Sequence, residues 1–185
     1  ELVAPDVEYD FDQTKELTTK FLKFLDSKDV DVKIQVVLQG TDYGDLINNS
    51  AEFISETPQD GRIACYGIPL YGKRWQERAA AVKVLGQLTK LPIHLLGLHD
   101  PMELAFYNSK DNIRSADGGF VTKFAGYGIK WKMDEELPKD KKNMINDLSI
   151  DDDKQEAFDW NLQILRSFSR RCESTESDLE SIGDK

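Results

Sequence analysis

Polar residues suited to acid–base or covalent chemistry follow predicted strands at the points where those strands end. Asp6, Gln39, His99 and Asp117 occupy four such positions, and Gly67 occupies a fifth. A carboxylate can act as a nucleophile or accept hydrogen bonds, and a Gln side chain both donates and accepts. A glycine lets the backbone approach a flat ligand closely. Parallel strands bring their carboxyl ends to one edge, so we expect these residues to line one cleft.

Each residue also has an ordinary structural explanation. Asp6 is suited to cap a helix, Gln39 to occupy a turn, and Gly67 to provide backbone freedom. His94 lies inside an apolar run, and we expect it to be a hydrogen-bonded core residue. The functional interpretation rests on five such residues recurring in order, not on any one of them.

Short apolar runs alternate with segments of helical periodicity in the first 130 residues. The pattern predicts an α/β fold of about five parallel βα units, each of the usual ~25–30 residues. The predicted strands are Leu2–Ala4, Lys33–Leu38, Arg62–Tyr66, Ile93–Leu98 and Ile113–Ala116. The helical segments between them include Leu46–Ile54, Trp75–Leu88 and Met102–Tyr107. The first helix is expected to bury Leu17, Phe21, Phe24 and Leu25.

The pattern changes after Trp131. We divide the chain into a βα portion at 1–130, a charged connection at 131–153, a C-terminal helix at 154–172 and an acidic tail at 173–185. The apolar stripe of the closing helix is expected to comprise Phe158, Leu162, Leu165 and Phe168.

Composition limits the classes of function. The 185 residues carry a net charge of −10, which argues against a surface that coats nucleic acid with Lys and Arg. No apolar run approaches the ~20 residues of a membrane helix, and the N-terminus lacks signal-peptide features. Two separated cysteines without metal-ligand spacing indicate reduced thiols in a soluble cytoplasmic protein. The missing initiator Met indicates a processed, trimmed or partial chain.

Several motifs, in one register from Leu2 to Gly128, resemble the guanine transglycosylases. Ala4-Pro5-Asp6 is similar to the segment whose Asp reads the guanine edge. Val37-Leu38-Gln39-Gly40 is similar to the family's Gln-Gly strand end, and Tyr66-Gly67 occupies the place of its Gly-Gly pair. Pro92-Ile93-His94-Leu95-Leu96-Gly97 resembles the next strand, and the run from Ile113 ends at Asp117, the position of the family's nucleophile.

This resemblance implies a (β/α)8 TIM-barrel-like fold, present in part, that exchanges guanine for a 7-deazaguanine base in tRNA or DNA. Asp117 would be the catalytic nucleophile that forms a covalent aspartyl-glycosyl intermediate. His99 is a further possible site residue, and no cofactor is expected. The implied base-binding residues are Asp6, Gln39, Gly40, Gly67, Leu96 and Gly97.

The chain also departs from the family pattern. It has neither the family's Cys3His zinc site nor the strands that carry a second catalytic Asp, so we expect no metal site and only about five of eight strands. The resemblance is closer to divergent members, including bacteriophage DNA-modifying ones, than to zinc-bearing queuosine-forming tRNA enzymes. Another chain or an N-terminal segment is expected to complete the barrel.

Two alternatives remain open. The first is a non-catalytic subunit or binding protein that retains a degenerate transglycosylase barrel. The second is an unrelated hydrolase-like or nucleoside-handling enzyme that uses Asp117, although no Ser or Cys nucleophile elbow is visible.

Overall fold

The structure is a computed structural model that describes residues 1–56, 61–72, 74–108, 111–132 and 151–173. A 3-10 helix covers Pro101–Phe106. The strands are β1 (Leu2–Val3), β2 (Ile34–Val37), β3 (Ile63–Ile68), β4 (Ile93–Leu95) and β5 (Ile113–Ala116). The helices are α1 (Phe11–Ser27), α2 (Tyr43–Glu56), α3 (Trp75–Leu88), α4 (Phe120–Gly126) and α5 (Asp152–Glu173).

The chain divides into two compact units. The first consists of Glu1–Gly97 with Lys110–Asp117 and contains the five strands and helices α1 to α3. The second consists of Leu98–Ser109 with Gly118–Lys185 and contains the 3-10 helix, α4 and α5. Most of the predicted charged connection (residues 133–150) and of the acidic tail (174–185) lies outside the described residues.

The five strands form one parallel sheet, in the order β1-β2-β3-β4-β5. Because parallel neighbours need a crossover connection, the alternation of strands and helices along the chain follows from the pairing. The predicted α/β class with about five parallel βα units is confirmed. Strand β2 is buried along its whole length, which explains why its sequence is an almost unbroken apolar run.

Two strand ends differ from the prediction. Strand β3 continues through Gly67, because Gly67 pairs with Val37 and its carbonyl accepts from the Leu38 N–H at 2.9 Å. Strand β4 stops at Leu95, because Gly97 adopts φ 71°, a left-handed conformation that turns the chain away from the sheet.

Helix α1 begins where the sequence indicates, and its buried face overlaps the predicted one, because Leu25 is buried and Leu17 and Phe21 are partly buried. The Asp10 carboxylate caps it by accepting from the Gln13 N–H at 2.9 Å. The buried face comprises Thr14, Thr18 and Leu25, whereas Phe24 is 55% exposed. Neighbouring helix positions point about 100° apart, so Phe24 points away from the face on which its neighbour Leu25 is buried. The expectation that Phe24 is buried is therefore wrong.

An ion pair joins the residue before β1 to the strand at the other edge of the sheet. The Arg114 guanidinium donates to both Glu1 carboxylate oxygens, at 2.9 and 2.6 Å. This arrangement lowers the pKa of the Glu1 carboxyl through the hydrogen bond from Arg114. Cys65 on β3 lies 3.5 Å from the same carboxylate, so these residues meet over one face of the sheet.

In the second unit, α5 packs through a stripe that shares Phe168 with the predicted one. Ala157 and Asn161 are fully buried, and Ile164 and Phe168 pack against the cluster of Phe120, Phe124 and Trp131. Phe158, Leu162 and Leu165 are only partly buried. The prediction included Phe168 but missed Asn161, because apolar periodicity gives no weight to a buried Asn. No helix in the described part of the chain is long and apolar enough to cross a membrane.

Asn161 connects α5 to the segment after α4. Its side-chain oxygen accepts from the Trp131 N–H at 2.7 Å, and its amide nitrogen donates to the Ile129 carbonyl at 2.9 Å. Both bonds involve backbone groups, so a residue without an amide side chain leaves a buried donor and acceptor unpaired.

We predict that Asn161→Ala lowers the free energy of unfolding of the second unit by about 2–4 kcal/mol, because two buried hydrogen bonds are lost. Urea denaturation followed by fluorescence of Trp131 and Trp160 measures the change. The exposed Gln163→Ala is the matched control and should change stability by less than about 0.5 kcal/mol. Equal losses in the two variants would contradict the assigned role of Asn161.

Candidate functional site

The candidate site lies in the first unit, at the edge formed by the carboxyl ends of the parallel strands. Asp6 follows β1, Gln39 follows β2, and Asp117 directly follows β5. Ligands of parallel α/β sheets bind at this edge. Two groups of interacting residues occupy it: one around Asp6 and Gln39, and one around Asp117.

A backbone amide orients the Asp117 carboxylate. Its Oδ1 accepts from the Gly97 N–H at 2.6 Å, and the Asp117 N–H donates to the Leu95 carbonyl at 3.1 Å. The turn at Gly97 that ends β4 thus also directs an N–H at the carboxylate. The Asp117 side chain is 55% exposed, so a ligand can reach it.

His94 lies beside Asp117, which the sequence analysis missed. Its Nε2 is 3.4 Å from Asp117 Oδ2, and its Nδ1 is 2.8 Å from Ser115 Oγ. Because a carboxylate only accepts, the favourable tautomer carries its proton on Nε2 and accepts from the Ser115 hydroxyl at Nδ1.

Strand pairing and strand period together account for this contact. His94 pairs with Ser115 across β4 and β5, and Asp117 follows two residues later. Side chains two residues apart in an extended chain point to the same face. As expected, His94 is hydrogen-bonded and mostly buried, with a side chain 13% exposed, but the expectation did not include its carboxylate neighbour.

A buried guanidinium lies behind the Gly97 turn. Arg78 of α3 is 0% exposed and donates from Nη1 to two backbone carbonyls. These belong to Ile68, the last residue of β3, and Leu96, the residue after β4. Hydrogen bonds from a charged donor are stronger than neutral ones, so Arg78 fixes the backbone that carries the Gly97 N–H.

Gly67 and Leu96 are brought together. A Cβ at Gly67 would lie 3.1 Å from Leu96 Cδ1 and 3.0 Å from Gln35 Nε2, both closer than ordinary contacts. Leu96 and Gln35 therefore occupy space that a side chain at residue 67 would need. Their base-binding roles remain predictions.

The Asp6 carboxylate and the Gln39 amide form a direct pair. Gln39 Nε2 donates to Asp6 Oδ2 at 2.7 Å. Gln39 is 2% exposed, and its Oε1 accepts from the Tyr9 N–H at 3.3 Å and from the Tyr71 hydroxyl at 3.2 Å. Gln39 is thus engaged within the protein at both ends of its amide, whereas Asp6 is exposed.

Gly40 packs against the start of α2 with no space for a side chain. A Cβ there would lie 2.4 Å from the Leu46 backbone nitrogen. The Gly40 N–H donates to the Tyr71 hydroxyl at 2.9 Å. Gly40 is buried and is linked to Gln39 through Tyr71.

His99 does not follow a strand directly. Strand β4 ends at Leu95, and His99 is an exposed residue of the second unit. The expectation that it occupies a strand end is wrong, because the predicted strand was three residues too long.

The described residues offer few other reactive groups. Burial raises the pKa of the Cys65 thiol to about 11, so it stays protonated at neutral pH and is a poor nucleophile. Within the described ranges, no group of three or more His, Cys, Asp and Glu side chains is placed to hold a metal ion. The exposed carboxylates of Asp6 and Asp117 are the reactive groups of the candidate site.

Comparison of the sequence with protein-family models gives no match, and comparison with curated proteins gives none either. The likeness to guanine transglycosylases therefore rests on the residues and spacings of this chain alone. A fold class is shared by many unrelated activities, so the function has to be argued from the chemistry of the site.

Proposed function

We propose that this chain is part of a guanine transglycosylase-like protein that exchanges guanine for a 7-deazaguanine base in tRNA or DNA. The observation that carries the proposal is the Asp117 carboxylate, exposed and oriented by the Gly97 N–H, at the same sheet edge as the Asp6–Gln39 pair. One carboxylate supplies a nucleophile and the other a hydrogen-bond acceptor for the base.

The proposed reaction has two displacements at the anomeric carbon of the nucleotide. An Asp117 oxygen bonds to that carbon as the carbon–nitrogen bond to guanine breaks, and guanine leaves with the electron pair and takes up a proton. The incoming base then loses a proton from its attacking nitrogen and displaces the aspartyl group. The Gly97 N–H holds the carboxylate in one orientation throughout.

His94 is a positioning residue in this scheme. An N–H donated toward Oδ2, together with the Gly97 N–H on Oδ1, orients both carboxylate oxygens. Ser115 in turn fixes the imidazole ring. Such support reduces the reorganisation that the nucleophile would otherwise need before attack.

The Glu1–Arg114 ion pair supports a barrel-like arrangement of the sheet. Residues at β1 and β5 are separated by four interstrand steps, about 19 Å in a flat sheet. Glu and Arg side chains together do not reach across that distance. A direct ion pair at 2.6 Å therefore favours a sheet curved toward this face, as in part of a (β/α)8 barrel.

The edge strands support completion of the barrel by further strands. Within the described residues β1 and β5 each pair with one neighbour, and Leu2 and Val3 of β1 are 46% and 56% exposed. Unpaired strand edges with apolar side chains favour pairing with additional strands. We propose that another chain or a further segment supplies them.

One observation favours the alternative of a non-catalytic binding protein that retains the barrel. The space over Gly67, where the resemblance places the base, is bordered closely by Leu96 and Gln35. Because these two side chains already lie close over Gly67, little room is left there for a base, as expected of a barrel that has lost the chemistry. The two proposals differ in whether Asp117 forms a covalent bond.

We predict that Asp117→Asn lowers base exchange by on the order of 10³-fold or more, because the amide lacks the anionic oxygen that attacks. The assay measures incorporation of labelled guanine into tRNA and into duplex DNA, with denaturing-gel detection of the protein–nucleic acid adduct. Asp12→Asn, at an exposed position of α1, is the matched control for loss of one negative charge.

Near-wild-type exchange by Asp117→Asn would remove Asp117 from the mechanism. If the wild-type protein gives neither exchange nor adduct with either nucleic acid, even with cell extract added to supply a partner, the non-catalytic alternative is favoured.

A second prediction concerns His94. His94→Leu should lower kcat about tenfold with little change in the KM for the base, because it removes a donor beside the nucleophile but no base contact. His94→Gln retains a side-chain N–H and should recover most of the loss. Single-turnover adduct formation by both variants checks this. An equal defect in both would show that the N–H is not what matters.

A further inference from the structure

Four groups are joined by hydrogen bonds in a row that begins at a backbone amide and ends at the Asp6 carboxylate. The Gly40 N–H donates to the Tyr71 hydroxyl at 2.9 Å, and that hydroxyl lies 3.2 Å from Gln39 Oε1. At the other end of the same amide, Gln39 Nε2 lies 2.7 Å from Asp6 Oδ2. Tyr71 was not identified by the sequence analysis.

Groups that can only donate fix the directions of these hydrogen bonds. The Gly40 N–H donates to the Tyr71 oxygen, and the proton of that hydroxyl is directed to Gln39 Oε1. The Tyr9 N–H, also a pure donor, lies 3.3 Å from the same oxygen. Two donors thus hold Oε1, and the Gln39 amide nitrogen must face Asp6.

The surroundings of Tyr71 keep its hydroxyl in place. Tyr71 is 6% exposed, and its ring lies between those of Tyr9 and Tyr43, with centroids 5.1 and 5.0 Å away. Its N–H donates to the Tyr43 hydroxyl at 3.0 Å. Burial raises the pKa of the Tyr71 phenol, so the hydroxyl remains a donor at neutral pH.

We propose that Tyr71 is a specificity-determining positioning residue, which fixes the Gln39 amide so that Asp6 presents an acceptor to the base. This inference rests on the proposed base-binding role of Asp6. Gln39 Nε2 engages Oδ2, so that oxygen must accept. The carboxylate then matches a ligand edge made of donors.

Guanine offers such an edge through its N1–H and its 2-amino group. Hypoxanthine has the N1–H but lacks the 2-amino group, and adenine has an acceptor at N1. A correctly oriented Asp6 carboxylate should therefore favour guanine over hypoxanthine, and both over adenine. Without the Tyr71 hydroxyl, Gln39 Oε1 keeps only the 3.3 Å bond from the Tyr9 N–H, so the amide and the Asp6 carboxylate are held less firmly and the preference declines.

The test compares equilibrium binding of free guanine, hypoxanthine and adenine to the full 185-residue chain. In Tyr71→Phe, guanine affinity should fall about 2- to 10-fold, as expected for one hydrogen bond, and the guanine-to-hypoxanthine ratio should move toward one. In an Asp6→Ala background, the same Tyr71→Phe change should alter guanine affinity by less than about twofold.

Tyr43→Phe is the matched control. It removes a hydroxyl from the same aromatic cluster, one that accepts from the Tyr71 N–H and donates to the Pro69 carbonyl. It should leave the base preference unchanged, and thermal denaturation of both variants measures any general loss of structure.

If Tyr71→Phe keeps the wild-type preference, or changes it no more than Tyr43→Phe does, the role of Tyr71 is overturned while base binding stands. An undiminished effect of Tyr71→Phe in the Asp6→Ala background also overturns it. If the wild-type chain binds none of the bases, the reading role of Asp6 fails and the role of Tyr71 fails with it.

Discussion

The backbone hydrogen bonds of the parallel sheet continue one step beyond the strands, and the candidate site depends on that step. The Leu38 N–H donates to the Gly67 carbonyl, the Leu96 N–H to Ile68, and the Asp117 N–H to Leu95, at 2.9 to 3.1 Å. Asp117, and the residues directly before Gln39 and Gly97, are thus bonded to the neighbouring strand. Because the ties are made by the main chain, the positions of Gln39, Gly97 and Asp117 follow from the register of the sheet rather than from their side chains.

The two groups of site residues achieve orientation by different means. Around Asp117, a left-handed glycine turn directs one backbone N–H at a carboxylate oxygen. Around Asp6, the Tyr71 hydroxyl and the Gln39 amide connect the Gly40 N–H to the carboxylate through three successive hydrogen bonds. In both cases the fixed element is a backbone N–H, whose role as donor cannot change, and a side chain of the site receives its orientation from it.

The sequence predicted the repeating architecture better than the contacts of the site. Helix α3 has the predicted bounds, and β2 lies within its predicted run, because long periodic or β-branched segments carry strong local signals. The end of β4 was missed, because it depends on the backbone conformation of Gly97. The contact of His94 with Asp117 and the burial of Gln39 depend on pairing between distant segments. Composition and period within one segment do not encode such pairing.

The buried guanidinium of Arg78 links the stiffness of the nucleophile's surroundings to a helix on which no site residue lies. Moving the backbone at Leu96 away from Arg78 would remove one acceptor from a buried cation. Displacement of the Gly97 turn is therefore opposed by this hydrogen bond. Substitutions in α3 that shift its axis by a fraction of an ångström would move Arg78 and the Leu96 carbonyl. The direction of the Gly97 N–H toward Asp117 would change with them. The mutational sensitivity of the site should thus extend to the α3 positions that set the height of Arg78 above the sheet.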